Sequence, residues 1–272
     1  MTAAEPHIDR VFVQTRLGRI HAAIAGTGFP VLLLHQTPRS WTEYRDVLPL
    51  LGSGLRAIAM DTLGFGDSDL PADAPSIELW AQGALALLDG LGVREFAVVG
   101  HHTGAVVAME LAVVAPDRAK ALVLSACPYV DAPRREKHHG MRVIDEVEIR
   151  ADGTHLTELW QRRQPFYPAG DTDLLHAFMV DALRAGSMAV EGHRVVNRYR
   201  MEDRLGKIQC PTLVIDPMGD PHAHPAAPKV AGAIAGSVLR EVSGGMVPLP
   251  DQMPEAFAGL VRDFVIDHRS KS

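Results

Sequence analysis

Two cysteines in 272 residues, Cys127 and Cys210, are too few for a disulfide scaffold; they read as two buried apolar thiols in a reducing compartment. No apolar run approaches the roughly 18 residues that a membrane-spanning helix needs. An excess of positive charge is missing as well. The 27 Lys and Arg stand against 33 Asp and Glu, a net charge of −6, and the basic residues are scattered along the chain. That excludes the electrostatic footprint of a nucleic-acid binder or of a protein held on an anionic membrane, and leaves neutral or weakly polar small molecules as the expected partners. Residues 1–10 carry Glu5, His7 and Asp9 without an apolar h-region, so no secretory signal is read there and a cytoplasmic location is the default expectation. There is no internal repeat and no low-complexity linker.

What is present is material for a core: 47% of the residues are hydrophobic and 22% charged, in a length that suits one large domain or one domain carrying an insertion. A Leu17-Gly18 turn between extended stretches at 11–15 and 19–25 predicts an opening hairpin. Afterwards short Val- and Leu-rich runs, 31–34 and 121–124 above all, carry the pattern of strands buried on both faces of a parallel sheet. Strands are expected at 31–35, 55–61, 96–100 and 119–126, with helices at 40–51, 76–91 and 103–115. Strands follow at 211–216 and 238–242, and an amphipathic closing helix at 254–267. Such alternation implies βαβ units and a mostly parallel sheet with helices on both faces, binding ligands at the carboxyl ends of its strands. Between 128 and about 205 the alternation breaks into charged, His-rich and aromatic stretches, including Arg134-Arg135-Glu136-Lys137-His138-His139 and Leu159-Trp160-Gln161-Arg162-Arg163. The expectation is a core of 1–127 and 206–272 with a mostly helical cap, 128–205, lying as a lid over the strand ends.

Five blocks resemble one family. His35-Gln36-Thr37-Pro38 follows the first parallel strand, Asp61-Thr62-Leu63-Gly64-Phe65-Gly66-Asp67-Ser68 the next, and Gly100-His101-His102-Thr103-Gly104 the third. Pro211-Thr212-Leu213-Val214-Ile215 leads to Asp220, and Gly244-Gly245-Met246-Val247-Pro248 precedes the last helix. In this order they are similar to the α/β-hydrolase fold over nearly the whole chain outside the insertion. The resemblance implies the architecture, and a fold alone does not establish an activity.

A strand that turns sharply into a helix projects its turn residue at the sheet edge, and flanking glycines give that elbow room. Here the projected residue is His102, where the family pattern G-x-S-x-G holds the nucleophile, usually Ser, sometimes Asp or Cys. An imidazole serves there as a general base, or at most as a poor covalent catalyst; the alternative is that His101-His102 fills space in a decayed site. Asp220 matches the family's catalytic acid, which orients an imidazole. The family's catalytic His falls on Met246, whose thioether cannot move protons, and the next histidine is His268, far along the last helix. His102 is therefore expected to turn toward Asp220 as a His–Asp dyad, with Met246 as an apolar wall; Asp131 is the alternative acid.

An oxyanion pocket is expected from the backbone N–H groups of Thr103 and Thr37, with Gln36 in place of the usual Gly and its amide as a further donor. His35 is either structural or a substrate contact, and His101 is a further candidate contact. Trp41 and Tyr44 are candidate substrate-facing aromatics, because the family often places such groups there. Trp160, Phe166, Tyr167, Phe178, Met179 and Tyr199 either line an apolar cavity or form lid core. Arg162 and Arg163 either meet a substrate carboxylate or belong to a solvated helix face. His222 and His224 form an H-x-H without ligand partners, so no metal is expected. Gly64-Phe65-Gly66-Asp67 lacks the Lys-Ser/Thr of a phosphate loop, so no dinucleotide cofactor is implied. Three functions stay open. The first is an enzyme on a small, partly apolar ester, lactone or ketone, with His102 as base for water-mediated hydrolysis or for a lyase, decarboxylase or cyclase step. The second is a hydrolase acylated on His102, and the third a non-catalytic receptor or scaffold. A homodimer is the default oligomer.

Overall fold

The computed structural model describes residues 6–269; the part of the N-terminal reading that rests on residues 1–5 lies outside the described residues. Strands β1 (Ile8–Thr15) and β2 (Gly18–Ala25) form the expected antiparallel hairpin. Its turn needs a glycine, since Gly18 takes φ +117°. Six more strands follow: β3 (Pro30–Leu34), β4 (Arg56–Met60), β5 (Phe96–His101), β6 (Ala119–Ser125), β7 (Thr212–Pro217) and β8 (Val238–Val242). They make one eight-stranded sheet in the order β1-β2-β4-β3-β5-β6-β7-β8. β2 meets β4 antiparallel, and every pairing from β4 to β8 is parallel. This is the α/β-hydrolase fold.

The apolar runs are explained by burial on two faces, because successive side chains of a strand point to opposite sides. Leu32, Leu34, Val98, Leu122 and Leu124 pack against α2 (Ile77–Gly90) and α3 (Thr103–Val114), while Val31, Leu33, Val99 and Val123 pack against α1 (Val47–Gly52) and the closing helix. Helix α2 starts where Ser76 Oγ accepts from the backbone N–H of Leu79. The helix expected at 40–51 is split into a 3₁₀ turn at Trp41–Tyr44 and α1. Local hydrogen bonds compete with it: Ser40 Oγ accepts from Thr42 N, and Trp41 N donates to Asp61 Oδ1.

Between β6 and β7 lie α4 (Ala132–His138), α5 (Thr154–Arg163), α6 (Thr172–Ala185) and α7 (Met188–Arg198), with irregular chain from 139 to 153. Leu159, Tyr167, Leu175, Phe178, Met179 and Ala182 form an apolar cluster of their own, while Met188, Val195 and Val196 of α7 join the main core. Two buried carboxylates tie this segment to the sheet layers. Asp181 of α6 accepts from Arg39 Nε at 2.8 Å, Ser40 Oγ at 3.0 Å and Thr42 Oγ1 at 2.7 Å. Glu110 of α3 accepts from the Tyr199 hydroxyl and from Arg204. The chain ends through α8 (Ala227–Gly232), α9 (Leu249–Gln252) and α10 (Pro254–His268). No described helix is long and apolar enough to cross a membrane.

Candidate active site

The elbow between β5 and α3 is built on two glycines. A Cβ on Gly100 would lie 2.1 Å from Gly104 O, and one on Gly104 would lie 1.9 Å from Leu34 O. Between them His102 is held at φ +48°, ψ −111°, a backbone conformation that L residues rarely adopt, with its N–H bonded to Ser125 O at 3.0 Å. Strain of this kind projects the side chain from the strand tip.

His102 Nε2 lies 2.7 Å from Asp220 Oδ2, and among the described residues the two atoms have no other polar partner; the contact is close in distance without being a well-aligned hydrogen bond. The carboxylate is fully buried, and its other oxygen accepts from the N–H groups of His222 at 2.8 Å and Ala223 at 3.1 Å. Burial alone would raise the Asp220 carboxyl, but the His102 imidazole and the backbone donor hold it down at about 2. Asp131 is elsewhere, capping α4 through Arg134 N at 2.9 Å.

His101 points the other way and is not a substrate contact. Its Nε2 donates to Val247 O at 2.8 Å, which leaves Nδ1 to accept from Ser125 Oγ at 3.0 Å. Burial and the adjacent His102 ring push it down to about 3, so it stays neutral. His35 is also structural, with Nδ1 on Gln36 O at 2.8 Å and Nε2 accepting from Thr62 N at 3.0 Å.

A cavity of about 430 Å³ lies over His102, and Gln36, Thr37 and Thr103 line it. Thr103 opens α3, so its N–H lacks an intrahelical acceptor, and the N–H of Thr37 has none among the described residues. Gln36 gives its backbone N–H and one hydrogen of its side-chain amide to the buried carboxyl of Glu43, at 2.9 and 2.6 Å, which leaves the second amide hydrogen as the further donor.

The expected aromatic walls are absent from this cavity. Trp41 packs beside His21 and under Arg10 and Arg45, and Tyr44 is buried against Phe257 with its hydroxyl on Leu34 O. Trp160, Phe166 and Tyr167, with Phe178 and Met179, pack in the cap's own cluster, although Phe166 also touches the His222 ring. Tyr199 bonds Glu110. Met246 is not the wall either: its Cγ sits 3.2 Å from where a Cβ on Gly219 would be, and Val247 lines the cavity instead. Of the two arginines named as possible carboxylate contacts, Arg163 faces the space, as does His222; what the sequence analysis missed is the rest of the cationic wall, with Arg134, Lys137, His138 and His193. The signal was available, since Arg134, Lys137 and His138 stand at i, i+3 and i+4 on one helix.

Arg163 and His193 both bind the buried Asp145, whose carboxyl they hold well below its usual range against the opposing effect of burial. Arg162 instead reaches Glu158 and the carbonyls of Ile144 and Glu146. The two histidines of the H-x-H diverge, His222 to the cavity and His224 to Asp216 at 2.9 Å. His21, Asp61 and Asp67 have metal-ligand proximity, but their atoms already bind one another, Arg10, Arg184, Trp41 N and Asp67 N, which leaves no open donor set. Burial pushes the Cys127 thiol up to about 12 and the Cys210 thiol to about 11, so neither is a nucleophile at neutral pH.

Comparison with known proteins adds three findings. Residues 26–260 match the family model described as the alpha/beta hydrolase family. Among curated proteins, an "Epoxide hydrolase 3" of Siraitia grosvenorii is 43% identical over 119 residues, which is 43% of this chain and 38% of that protein. A "2-hydroxymuconate semialdehyde hydrolase" of Pseudomonas sp. (strain CF600) is 34% identical over 135 residues, 48% of this chain and 47% of that one. The matches thus span less than half the length of these relatives. Among solved structures, an esterase from Exiguobacterium antarcticum superposes with TM-score 0.81 at 18% identity, covering 94% of this chain and 99% of that one. The enol-lactonase from Burkholderia xenovorans LB400 gives TM-score 0.78 at 19% identity, covering 94% and 100%. At such identity these likenesses show the fold.

Proposed function

Because the chain belongs to the alpha/beta hydrolase family, we propose that it is an enzyme for a small carbonyl compound of ester, lactone or ketone type, with His102 as general base oriented by Asp220. The observation that carries this reading is the 2.7 Å approach of His102 Nε2 to a fully buried carboxylate at the tip of the elbow. Asp220 Oδ2 favours the tautomer with the proton on Nε2, so the lone pair of His102 is on Nδ1. In hydrolysis Nδ1 takes a proton from water, the oxygen adds to the carbonyl carbon, and the developing oxyanion is met by the N–H groups of Thr103 and Thr37. The imidazolium, balanced by Asp220, then returns the proton to the leaving group. The same nitrogen can remove a proton beside a carbonyl, which suits a lyase, decarboxylase or cyclase step. No serine acyl-enzyme is needed. The names of the relatives, an epoxide hydrolase and a semialdehyde hydrolase, agree with a small substrate.

The test is turnover of a panel of nitrophenyl esters and lactones by the wild-type protein and His102→Ala. A loss of about 10²–10⁴ in kcat is expected for the variant, and equal rates end the base role. Mass spectrometry of quenched reactions is expected to show unmodified protein; an acyl adduct on His102 would move the chemistry to a covalent route.

A further inference from the structure

We propose that the compound taken into the His102 cavity is an anion, a small molecule bearing a carboxylate or phosphate group, seated on Arg134 and Lys137. This deepens the reading of that cavity as the reaction site and rests on it.

Arg134, Lys137, Arg142 and Arg163 all line the cavity, together with His138, His193 and His222, and among the described residues no Asp or Glu does. Two of the four strong cations are already balanced: Arg163 by Asp145 and Arg142 by Glu158. Arg134 and Lys137 make no ion pair among the described residues. Arg134 spends only Nε, on Asn197 Oδ1 at 3.2 Å, which leaves its two terminal nitrogens for a ligand. A half-buried cation without a counter-ion is costly, and the guanidinium is in fact drawn below its usual value by burial, with Cys127 and Asp131 opposing. A bound oxyanion relieves that cost with charge-assisted hydrogen bonds, and a guanidinium matches carboxylate or phosphate geometry in a fork.

The surroundings fit the same ligand. A second depression of about 720 Å³ shares His138, Met141, Arg142, Val143 and Asn197 with the first and adds Arg135, Arg194 and Arg198. Those three arginines are paired with Glu202, Glu146 and Glu191, so the added cations of this neighbouring depression are balanced while Arg134 and Lys137 are not. On a chain of net charge −6 this concentration is local, and it departs from the neutral partner that the scattered charge of the sequence suggests. A cavity of about 430 Å³ suits a small molecule.

Calorimetric titration of the full chain with three phenyl probes, benzoate, its uncharged isostere benzamide, and phenyl phosphate, tests the idea. At least one anion is expected to bind about tenfold or more tighter than benzamide, equivalent to about 1.4 kcal/mol. The order of the two anions tells carboxylate from phosphate. The gap is expected to close in Arg134→Met/Lys137→Met and to persist in His102→Ala. Lys137→Met alone, a change to an exposed side chain, is expected to remove part of it, which covers the case in which the double variant fails to fold. Benzamide binding as tightly as both anions, no binding by any probe, or a preference unmoved by Lys137→Met and by the double variant overturns the proposal. Since no turnover is read, failure of His102 as a base leaves this result standing.

Discussion

At His102 the backbone and the side chain make separate demands, and different neighbours meet them. The positive φ is tolerated because Gly100 and Gly104 leave room that any Cβ would fill. Gly104→Ala sets a methyl against the carbonyl of Leu34, a rigid strand atom, so several kcal/mol of destabilisation is expected by urea unfolding, with loss of activity in whatever folds. The ring depends on Asp220. Asp220→Asn keeps the volume but cannot balance an imidazolium, so kcat is expected to fall by about 10²–10⁴ while KM stays within a few-fold. Loss through KM alone would give Asp220 a binding role. The one-residue offset at Met246 belongs to this scale too: Gly244 at φ +75° turns the loop so that Val247, not Met246, reaches the cavity. Sequence spacing does not carry such a rotation.

Among the elements, the helical segment between β6 and β7 is held by charge as well as by apolar packing. Asp181 of α6 accepts from three side chains of the 39–42 turn, and Arg39 also pairs with Asp251. Asp181→Ala leaves Arg39 on Asp251 alone and takes an acceptor from Ser40 and Thr42, which still bond each other, so about 1–3 kcal/mol of destabilisation is expected. Limited proteolysis is expected to cut first within 128–205; an unchanged unfolding midpoint and digestion pattern would show that the cap is held without this anchor. The parallel strands were legible because burial on both faces leaves an apolar run, and the elbow because two glycines bracket one residue. The segment between β6 and β7 was legible only as mostly helical. Its aromatics cover one another in a separate cluster, and a helix pattern does not say which face meets the strand ends, so the sequence leaves Trp160, Phe166 and Tyr167 open between core and a cavity that Arg134 and Lys137 line. Likewise Ser40 and Thr42 read as the start of a helix because Asp181, which draws them away, is some 140 residues distant.

Over the whole molecule these buried groups set how stability follows pH. His101, pushed down to about 3, and His35, also lowered by burial, fold as neutral rings. Unfolded, they take up protons near 6.5, so the unfolded chain binds more protons below that value and stability falls as pH drops from 6.5 toward 3. Asp220, held at about 2 against an ordinary 3.8, contributes stability that is complete above pH 4 and lost as pH falls toward 2. Glu43 acts oppositely. Burial pushes it up to about 8, against the pull of Arg39, so its neutral form suits the fold and stability declines as pH rises from 4.5 to 8. Because these slopes oppose one another, the total curve hides each group and only a difference curve isolates one. For His101→Gln, the unfolding penalty relative to wild type is expected to be constant above pH 7. It is then expected to shrink by roughly 3 kcal/mol by pH 4, where the wild type excludes a proton that glutamine never takes. For Asp220→Asn, the penalty holds above pH 4 and shrinks only toward pH 2. A His101→Gln penalty that stays flat from pH 7 to 4, in urea unfolding at each pH, would show that His101 takes up its proton in the folded protein as readily as in the unfolded chain, and that the ring behind the elbow is not the neutral support on which His102 rests.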